Sequence, residues 1–317
     1  MPSHHAWSHG RVGPGSQFLD PVVLQRIGNL ELIARGVVEG FLHGLHRSPF
    51  FGQSVDFAEH RPYTPGDDLR RVDWKAFART DRYYVKEFEA ETNTNFTVLL
   101  DTSRSMAFGE GEVSKFDYGS FLAASLSFLT RKQGDRVGIL TFDSEVRDVV
   151  PCSARHLELV LLTIDRSQPD RRGELGPALR DVMNRTGKRG LVALISDLYI
   201  DPEELRSPMN QLREMGSDVM VFHVLDSAEL DLPYKGKVTL EDMETKEVLP
   251  MAPEELREEY RKSLTTHVAE VGRVLTSVGA DHILADTSQP LDQALFHYLL
   301  ARGDRMRTGT GRWASLS

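Results

Sequence analysis

From residue 96 onward the chain alternates short, unbroken apolar runs with longer stretches of helical spacing. The runs fall at 96–101, 136–142, 191–197 and 218–225, with a weaker one at 282–286. Runs this apolar suit strands buried on both faces, as in a parallel sheet. Between them, helical patterns lie at 116–132 (stopped by Gly134), 176–185, 202–215 and 291–302. The clearest helix places Leu256, Tyr260, Leu264, Val268, Val271, Leu275 and Val278 three or four residues apart. Pro253 opens it, Glu254 and Glu255 suit its positive end, and Gly279 closes it. Its apolar seam reads as a face packed on the sheet. This alternation, sustained over about 200 residues, predicts an α/β fold with a doubly wound, mostly parallel sheet.

Ahead of this region, Val22, Val23, Ile27, Leu30, Ile33, Val37, Val38 and Phe41 recur at helical spacing. They predict one helix from 21 to about 45, with Asp20 as cap, Pro21 at the first position and Gly44 as stop. Residues 46–95 show no period. They contain a turn at Tyr63-Thr64-Pro65-Gly66-Asp67-Asp68 and the aromatics Trp74, Phe77, Tyr83, Tyr84 and Phe88. Mixed charge among aromatics predicts an ordered, salt-bridged module and not a disordered segment. The stretch between 225 and 253 reads as a small hairpin inserted before the long helix. The expected organisation is a disordered start (1–18), a helix with a small covering module (19–93), an α/β domain (94–305, insertion at about 227–252) and a flexible end (306–317).

Composition narrows the classes. The chain has 317 residues, 40% hydrophobic and 27% charged, in the range of soluble globular proteins. Its net charge of −9 argues against general electrostatic binding of nucleic acid, which needs a basic face. A single cysteine, Cys152, excludes an internal disulfide and fits a reducing compartment. No run reaches the roughly 18 apolar residues of a membrane span, and residues 1–15 lack the apolar core of a signal peptide. The expected location is cytoplasmic. His4, His5 and His9 read as a solvated tail, and His156, His223, His267, His282 and His297 as packing or surface residues.

The candidate chemistry sits at strand ends. Asp101 closes the first apolar run, and Ser103 and Ser105 follow at alternate positions. Asp197 closes another run. Loops at the carboxyl ends of neighbouring strands in a doubly wound sheet gather over one crevice. Two carboxylates and two hydroxyls there are hard oxygen donors suited to magnesium, calcium or manganese. The same residues also serve as ordinary strand-end and helix-start caps, so the pattern alone leaves both readings open.

Asp101-Thr102-Ser103-Arg104-Ser105, followed by Met106, resembles the metal-ion-dependent adhesion site of von Willebrand factor A domains. The resemblance implies a divalent cation, magnesium first, with Asp101, Ser103 and Ser105 on one loop and Asp197 on another. That family takes a threonine from a further loop. Here the corresponding segment puts Gly173 at the threonine's position, and the neighbouring Glu174 or a water is the available substitute. The segment 61–80, with Arg61, Tyr63, Pro65, Gly66, Asp67, Arg70, Asp73, Trp74 and Arg79, is similar to the signature of the bacterial family called domain of unknown function 58. So are Glu229-Leu230-Asp231-Leu232-Pro233, 241–245, Tyr260 and 286–291. The signature itself reads as a fold-defining layer packed on the α/β domain, with a docking surface as the other reading.

Members of that family often carry N-terminal membrane helices; this chain resembles a short form without a span. The resemblance implies association with a MoxR-type AAA+ ATPase in complex assembly or chaperoning. The expected function is a non-catalytic adaptor in which a partner carboxylate completes the metal's coordination. Two alternatives stand beside it: a metal-free interaction module, suggested by Gly173, and a metal-dependent phosphohydrolase with Asp101 as nucleophile. The second lacks the carboxylate that such enzymes place two residues on, where this chain has Ser103.

Overall fold

The computed structural model describes residues 20–47, 58–62, 84–88, 94–185, 189–243 and 246–307. Its centre is a six-stranded sheet. In chain order the strands of that sheet are β3 (Asn95–Asp101), β4 (Arg136–Phe142), β5 (Val146–Ser153), β6 (Gly190–Ser196), β7 (Asp218–Leu225) and β10 (Asp281–Asp286). In space they run β10-β7-β6-β3-β4-β5, all pairs parallel except β4 with β5. The chain starts at the middle with β3, moves out to β5, then returns to the other side of β3 with β6. This is the predicted doubly wound sheet.

Alternation along each strand fills two cores, one on each face. Val98 and Leu100 of β3, Ala193 and Ile195 of β6, and Met220, Phe222 and Val224 of β7 belong to one core. Leu99, Val192, Leu194, Val219 and Val221 belong to the other. A strand that feeds two cores has no polar face to show, hence its unbroken apolar sequence.

The first core is covered by α2 (Leu30–Arg47), α3 (Lys115–Lys132), α4 (Leu157–Arg166) and α9 (Asp292–Arg307). The second is covered by α5 (Leu175–Arg185), α6 (Arg206–Glu214) and α8 (Pro253–Ser277). The helix α3 is buried on almost every side and begins with a capping box in which Ser114 and Asp117 satisfy each other's backbone amides. Gly119 lets it sit close to the sheet: a Cβ there would lie 3.1 Å from the Ile195 side chain.

The structure departs from expectation in four places. The single helix expected over 21–45 is two, α1 (Pro21–Gln25) and α2, separated by Gly28 at φ +66, and α2 runs through the expected stop at Gly44 to Arg47. Asn29 restarts the helix by accepting from the Leu32 amide at 2.9 Å. Strand β5 was not expected, because Pro151 and the want of an apolar run or a clean alternation obscure it. It is an antiparallel edge strand, where proline is tolerated. The helix α4 was likewise not expected. The stretch 202–215 is a 3₁₀ turn, Pro202–Leu205, followed by α6.

Of the seam expected to pack along the long helix, Val271 and Leu275 are buried, whereas Leu256 is exposed; other expectations are met more closely. Asp20 caps α1 by accepting from the Val22 amide, with Pro21 at the first position. The inserted hairpin is present as β8 (Val238–Glu241) and β9 (Val248–Met251), preceded by a short helix, α7 (Ser227–Asp231). Gly279 follows α8 at φ +73. A separate two-stranded antiparallel ribbon pairs β1 (Ala58–Pro62) with β2 (Tyr84–Phe88), where no period was legible. Among the described residues no helix is long and apolar enough to cross a membrane.

Candidate functional site

The parallel register of β3 and β6 sets Leu100 beside Ile195, which brings Asp101 level with Ser196. Asp101 is almost fully buried. Its carboxylate accepts from the Ser196 hydroxyl at 2.6 Å and from the Ser103 amide at 2.8 Å, so both oxygens are engaged. Burial, and then the charge of neighbouring Asp197, lift the Asp101 carboxyl to about 7. The hydroxyls of Ser103 and Ser105 lie 3.1 Å apart. The sheet order places the Asp101 loop and the Asp197 loop on either side of the point where the winding reverses, the usual place for a crevice.

The expected second loop lies flat against the first. Ser103 and Arg171 form a parallel bridge, the Arg104 amide donates to the Arg171 carbonyl at 2.7 Å, and the Arg104 guanidinium donates to the Asp170 carbonyl. Gly173 allows this closeness. A Cβ at that position would lie 2.3 Å from the Ser103 Cβ. A threonine therefore does not fit here on this backbone. Glu174, the proposed substitute, is exposed and is not among the residues lining the crevice. The expected second-loop ligand is not supplied by either residue.

The centre of the site is a lysine that the sequence reading did not single out. Lys115 is the first residue of α3, and its side chain is fully buried. Its ammonium donates to Asp197 at 2.8 Å and to Glu229 at 2.7 Å. It also lies 4.8 Å from the centroid of the Tyr199 ring and 5.8 Å from that of Phe108. Burial alone would lower the lysine's pKa. The two carboxylates and their hydrogen bonds outweigh burial and hold it above the ordinary value.

Glu229 is fixed from both ends. One oxygen accepts from the Asp226 amide in the capping box of α7, and the other accepts from Lys115 and from the Tyr199 hydroxyl at 2.9 Å. Beyond Asp197 the chain turns through Leu198 at φ 52, a left-handed conformation unusual for leucine. Ser196 accepts from the Leu198 amide, and His267 of α8 contacts the Leu198 carbonyl.

Asp101, Ser103, Ser105, Lys115, Asp197, Tyr199 and Glu229 open on one crevice of about 300 Å³. Its far wall is Tyr234, Leu240, Glu241, Asp242, Met243 and Tyr260, from the inserted hairpin region and α8. Residues from several segments that carry the family resemblance in sequence, Glu229, Leu232, Glu241, Asp242, Met243 and Tyr260, thus converge on the crevice. Tyr234 is tied across it by a hydrogen bond to Glu110, and Arg257 holds the carbonyls of Leu232 and Tyr234.

A divalent cation fits this donor set only in part. Two octahedral ligands at right angles, each about 2.1 Å from magnesium, stand about 3 Å apart, close to the Ser103–Ser105 spacing. The rest of the expected sphere is not assembled. Asp197 is bound to an ammonium, the threonine is Gly173, and Asp101 already accepts two hydrogen bonds. Among the described residues no group of three or more His, Cys, Asp or Glu side chains is placed to hold a metal ion. With Asp197 paired to Lys115 and Gly173 in the threonine's place, these residues supply the adhesion-type sphere only in part.

Of the family-signature residues, Arg61 lies in β1, opposite Val85 of β2. Tyr63, Pro65, Gly66, Asp67, Arg70, Asp73, Trp74 and Arg79 lie outside the described residues, as do His4, His5 and His9. Sequence reasoning did not place Lys115, Ser196 or Tyr199 in the site, and named Glu229 only for the family resemblance. One signal was available for Lys115: a lysine directly after a capping serine sits at the positive end of a helix, where acids are favoured.

The family model described as protein of unknown function DUF58 matches residues 59–270. Uncharacterized proteins of Mycobacterium bovis and Mycobacterium tuberculosis are each 30% identical over 267 residues, covering 82% of this chain and 84% of the relative. The uncharacterized protein YeaD of Bacillus subtilis is 24% identical over 193 residues, 60% of this chain and 45% of its own length. Among solved structures, an aerotolerance-related membrane protein from Bacteroides fragilis aligns with a TM-score of 0.46 at 15% identity. It covers 64% of this chain and 97% of its own. The SpRpn10 VWA domain aligns with a TM-score of 0.38 at 12% identity, covering 64% of this chain and 94% of its own.

Proposed function

The chain belongs to the family described as protein of unknown function DUF58, and from that premise we propose that it is a non-catalytic protein-interaction module that docks its partner in the crevice over β3, β6 and β7. The observation that carries this reading is the buried Lys115–Asp197–Glu229 cluster. It leaves a concave site whose central charged groups already bind one another. Such a site recognises by shape and charge; it does not present a reactive group.

The chemistry of the lining supports the same reading. Catalysis by acyl or phosphoryl transfer needs a nucleophile beside a base. Here the Ser103 and Ser105 hydroxyls face each other, and no histidine lines the crevice among the described residues. Lys115 is held as an ammonium, so it offers no free amine.

The partner's contribution follows from charge. Asp101, Asp143, Asp197, Glu229, Glu241 and Asp242 line the crevice, six carboxyl groups against three cations: Lys115 pairs with Asp197 and Glu229, Arg147 with Asp143, and Lys246 with Glu241. Tyr199, Tyr234 and Tyr260 add aromatic surface. This combination suits a basic side chain, an arginine above all, which can pair with a carboxylate and stack on a ring. The partner class we propose is the MoxR-type AAA+ ATPase implied by the family resemblance. It would insert a basic segment, in place of the carboxylate expected from a metal bridge.

The test is calorimetric binding of a purified MoxR-type ATPase from the same host to the full chain. Tyr234→Ala and Glu241→Lys, both on the far wall, are each expected to weaken binding by about tenfold or more, on the scale of interface anchor residues. Binding that neither substitution changes would remove the crevice as the docking site. Phosphoester turnover that Asp101→Asn abolishes would remove the non-catalytic reading.

A further inference from the structure

We infer that Lys115 does in this crevice what a divalent cation does in a metal-adhesion site: it is a built-in counter-ion that holds the strand-end carboxylate Asp197 in place without metal. The inference deepens the reading above but concerns the isolated protein, so its test stands or falls without any partner.

Three independent features converge on it. The first is position. A fully buried lysine at the opening residue of a helix meets the unfavourable end of the helix dipole and the full cost of losing water. That placement is sustained only because Asp197 and Glu229 both lie within hydrogen-bond distance of the ammonium. The second is enclosure. The Tyr199 and Phe108 rings stand near the ammonium, and Tyr199 also donates to Glu229, so the ion pair is fixed from several directions.

The third feature is the closed position opposite. Gly173 draws the Asp170–Gly173 strand of chain onto Ser103, filling the space in which a threonine ligand would stand. A cation entering the crevice would meet Asp197 already neutralised by Lys115, and Asp101 with one hydrogen bond on each oxygen. The ammonium and the glycine are far apart in sequence but act on the same site. One satisfies the charge that a metal would satisfy, and the other removes a place where the metal would be held.

The consequence is testable by deleting the ammonium. Lys115→Met removes the ammonium while keeping an unbranched apolar stem one atom shorter, and leaves Asp197 and Glu229 facing each other without a cation. A divalent ion then has two carboxylates to bind. Wild-type protein titrated with millimolar magnesium or manganese is expected to give a flat calorimetric trace and an unchanged melting temperature. Lys115→Met is expected to be destabilised in chelator, stabilised by manganese, and to bind manganese at least tenfold more tightly than wild type. Asp197→Asn in the Lys115→Met background should abolish the gain.

Should Lys115→Met fail to fold in any buffer, Lys115→Met with Glu229→Gln lowers the uncompensated charge and carries the same titration. Should that fail too, the wild-type titration decides alone. The inference is overturned by metal binding to wild type that Asp101→Asn abolishes. It is equally overturned by a folded Lys115→Met chain that binds manganese no better than wild type.

Discussion

Ser196 donates a 2.6 Å hydrogen bond to the Asp101 carboxylate across the boundary between β6 and β3, joining the two strands that flank the crevice. The bond exists because the parallel register puts these residues level, and both are almost wholly buried. A buried carboxylate that loses a donor keeps its desolvation cost without compensation. Ser196→Ala is expected to destabilise the fold by about 1.5–3 kcal/mol, the range for hydrogen bonds to charged groups. Denaturant unfolding near pH 9, where the Asp101 carboxyl is ionised, checks it, and a change indistinguishable from zero would mean that Asp101 finds another donor.

Gly173→Thr restores the residue that the adhesion-site pattern calls for. On this backbone it would place a Cβ 2.3 Å from that of Ser103. The loop must then lift off its bridge to Ser103. A loss of about 1–3 kcal/mol is expected, as for overpacked interiors, with no gain in metal affinity while Lys115 remains. A variant as stable as wild type that binds magnesium would show that the glycine alone decided the matter.

A histidine cluster gives a pH prediction. His223 on β7 is fully buried, its Nδ1 lies 3.3 Å from Nε2 of His282 on β10, and its ring stands 6.1 Å from that of His267 on α8. Burial, then the neighbouring His282 and His267, push His223 down to about 3, and burial also lowers His282. The sign follows from linkage. The folded state favours the neutral ring, so this contribution is present above the unfolded value of about 6.5 and is lost as pH falls from there toward 3. His223→Leu is expected to unfold less steeply than wild type between about pH 6.5 and 5, whatever its stability at neutral pH. Parallel pH profiles from thermal melts would contradict this.

How much of this was legible in the sequence depends on what each residue does alone. The central strands were visible because β3, β6 and β7 feed two cores and carry no polar face. Asp101 and Asp197 were visible for the same reason, as carboxylates closing or following such runs. Strand β5 was hidden because an edge strand with one exposed face, and with Pro151 in it, has neither the apolar run nor a clean alternation. The break at Gly28 was hidden because the apolar period runs straight through it.

The cluster around Lys115 was hidden for a different reason. A lone lysine, a capping glutamate and a serine each have an ordinary local explanation. Their meeting point depends on sheet order: β6 beside β3, and α7 following β7. Lys115 and Glu229 are 114 residues apart in sequence, and only the doubly wound topology brings them within 2.7 Å.

The claim that organises the site is that an internal ammonium, and not a divalent cation, satisfies its carboxylates. Nitrogen-edited NMR of the wild-type chain with added manganese tests it most directly, since the paramagnetic ion broadens amide signals near wherever it binds. The account predicts no selective broadening at Asp101, Ser103, Ser105 and Asp197 as manganese rises to millimolar levels. Selective loss of those signals, reversed by chelator and absent in Asp101→Asn, would contradict it.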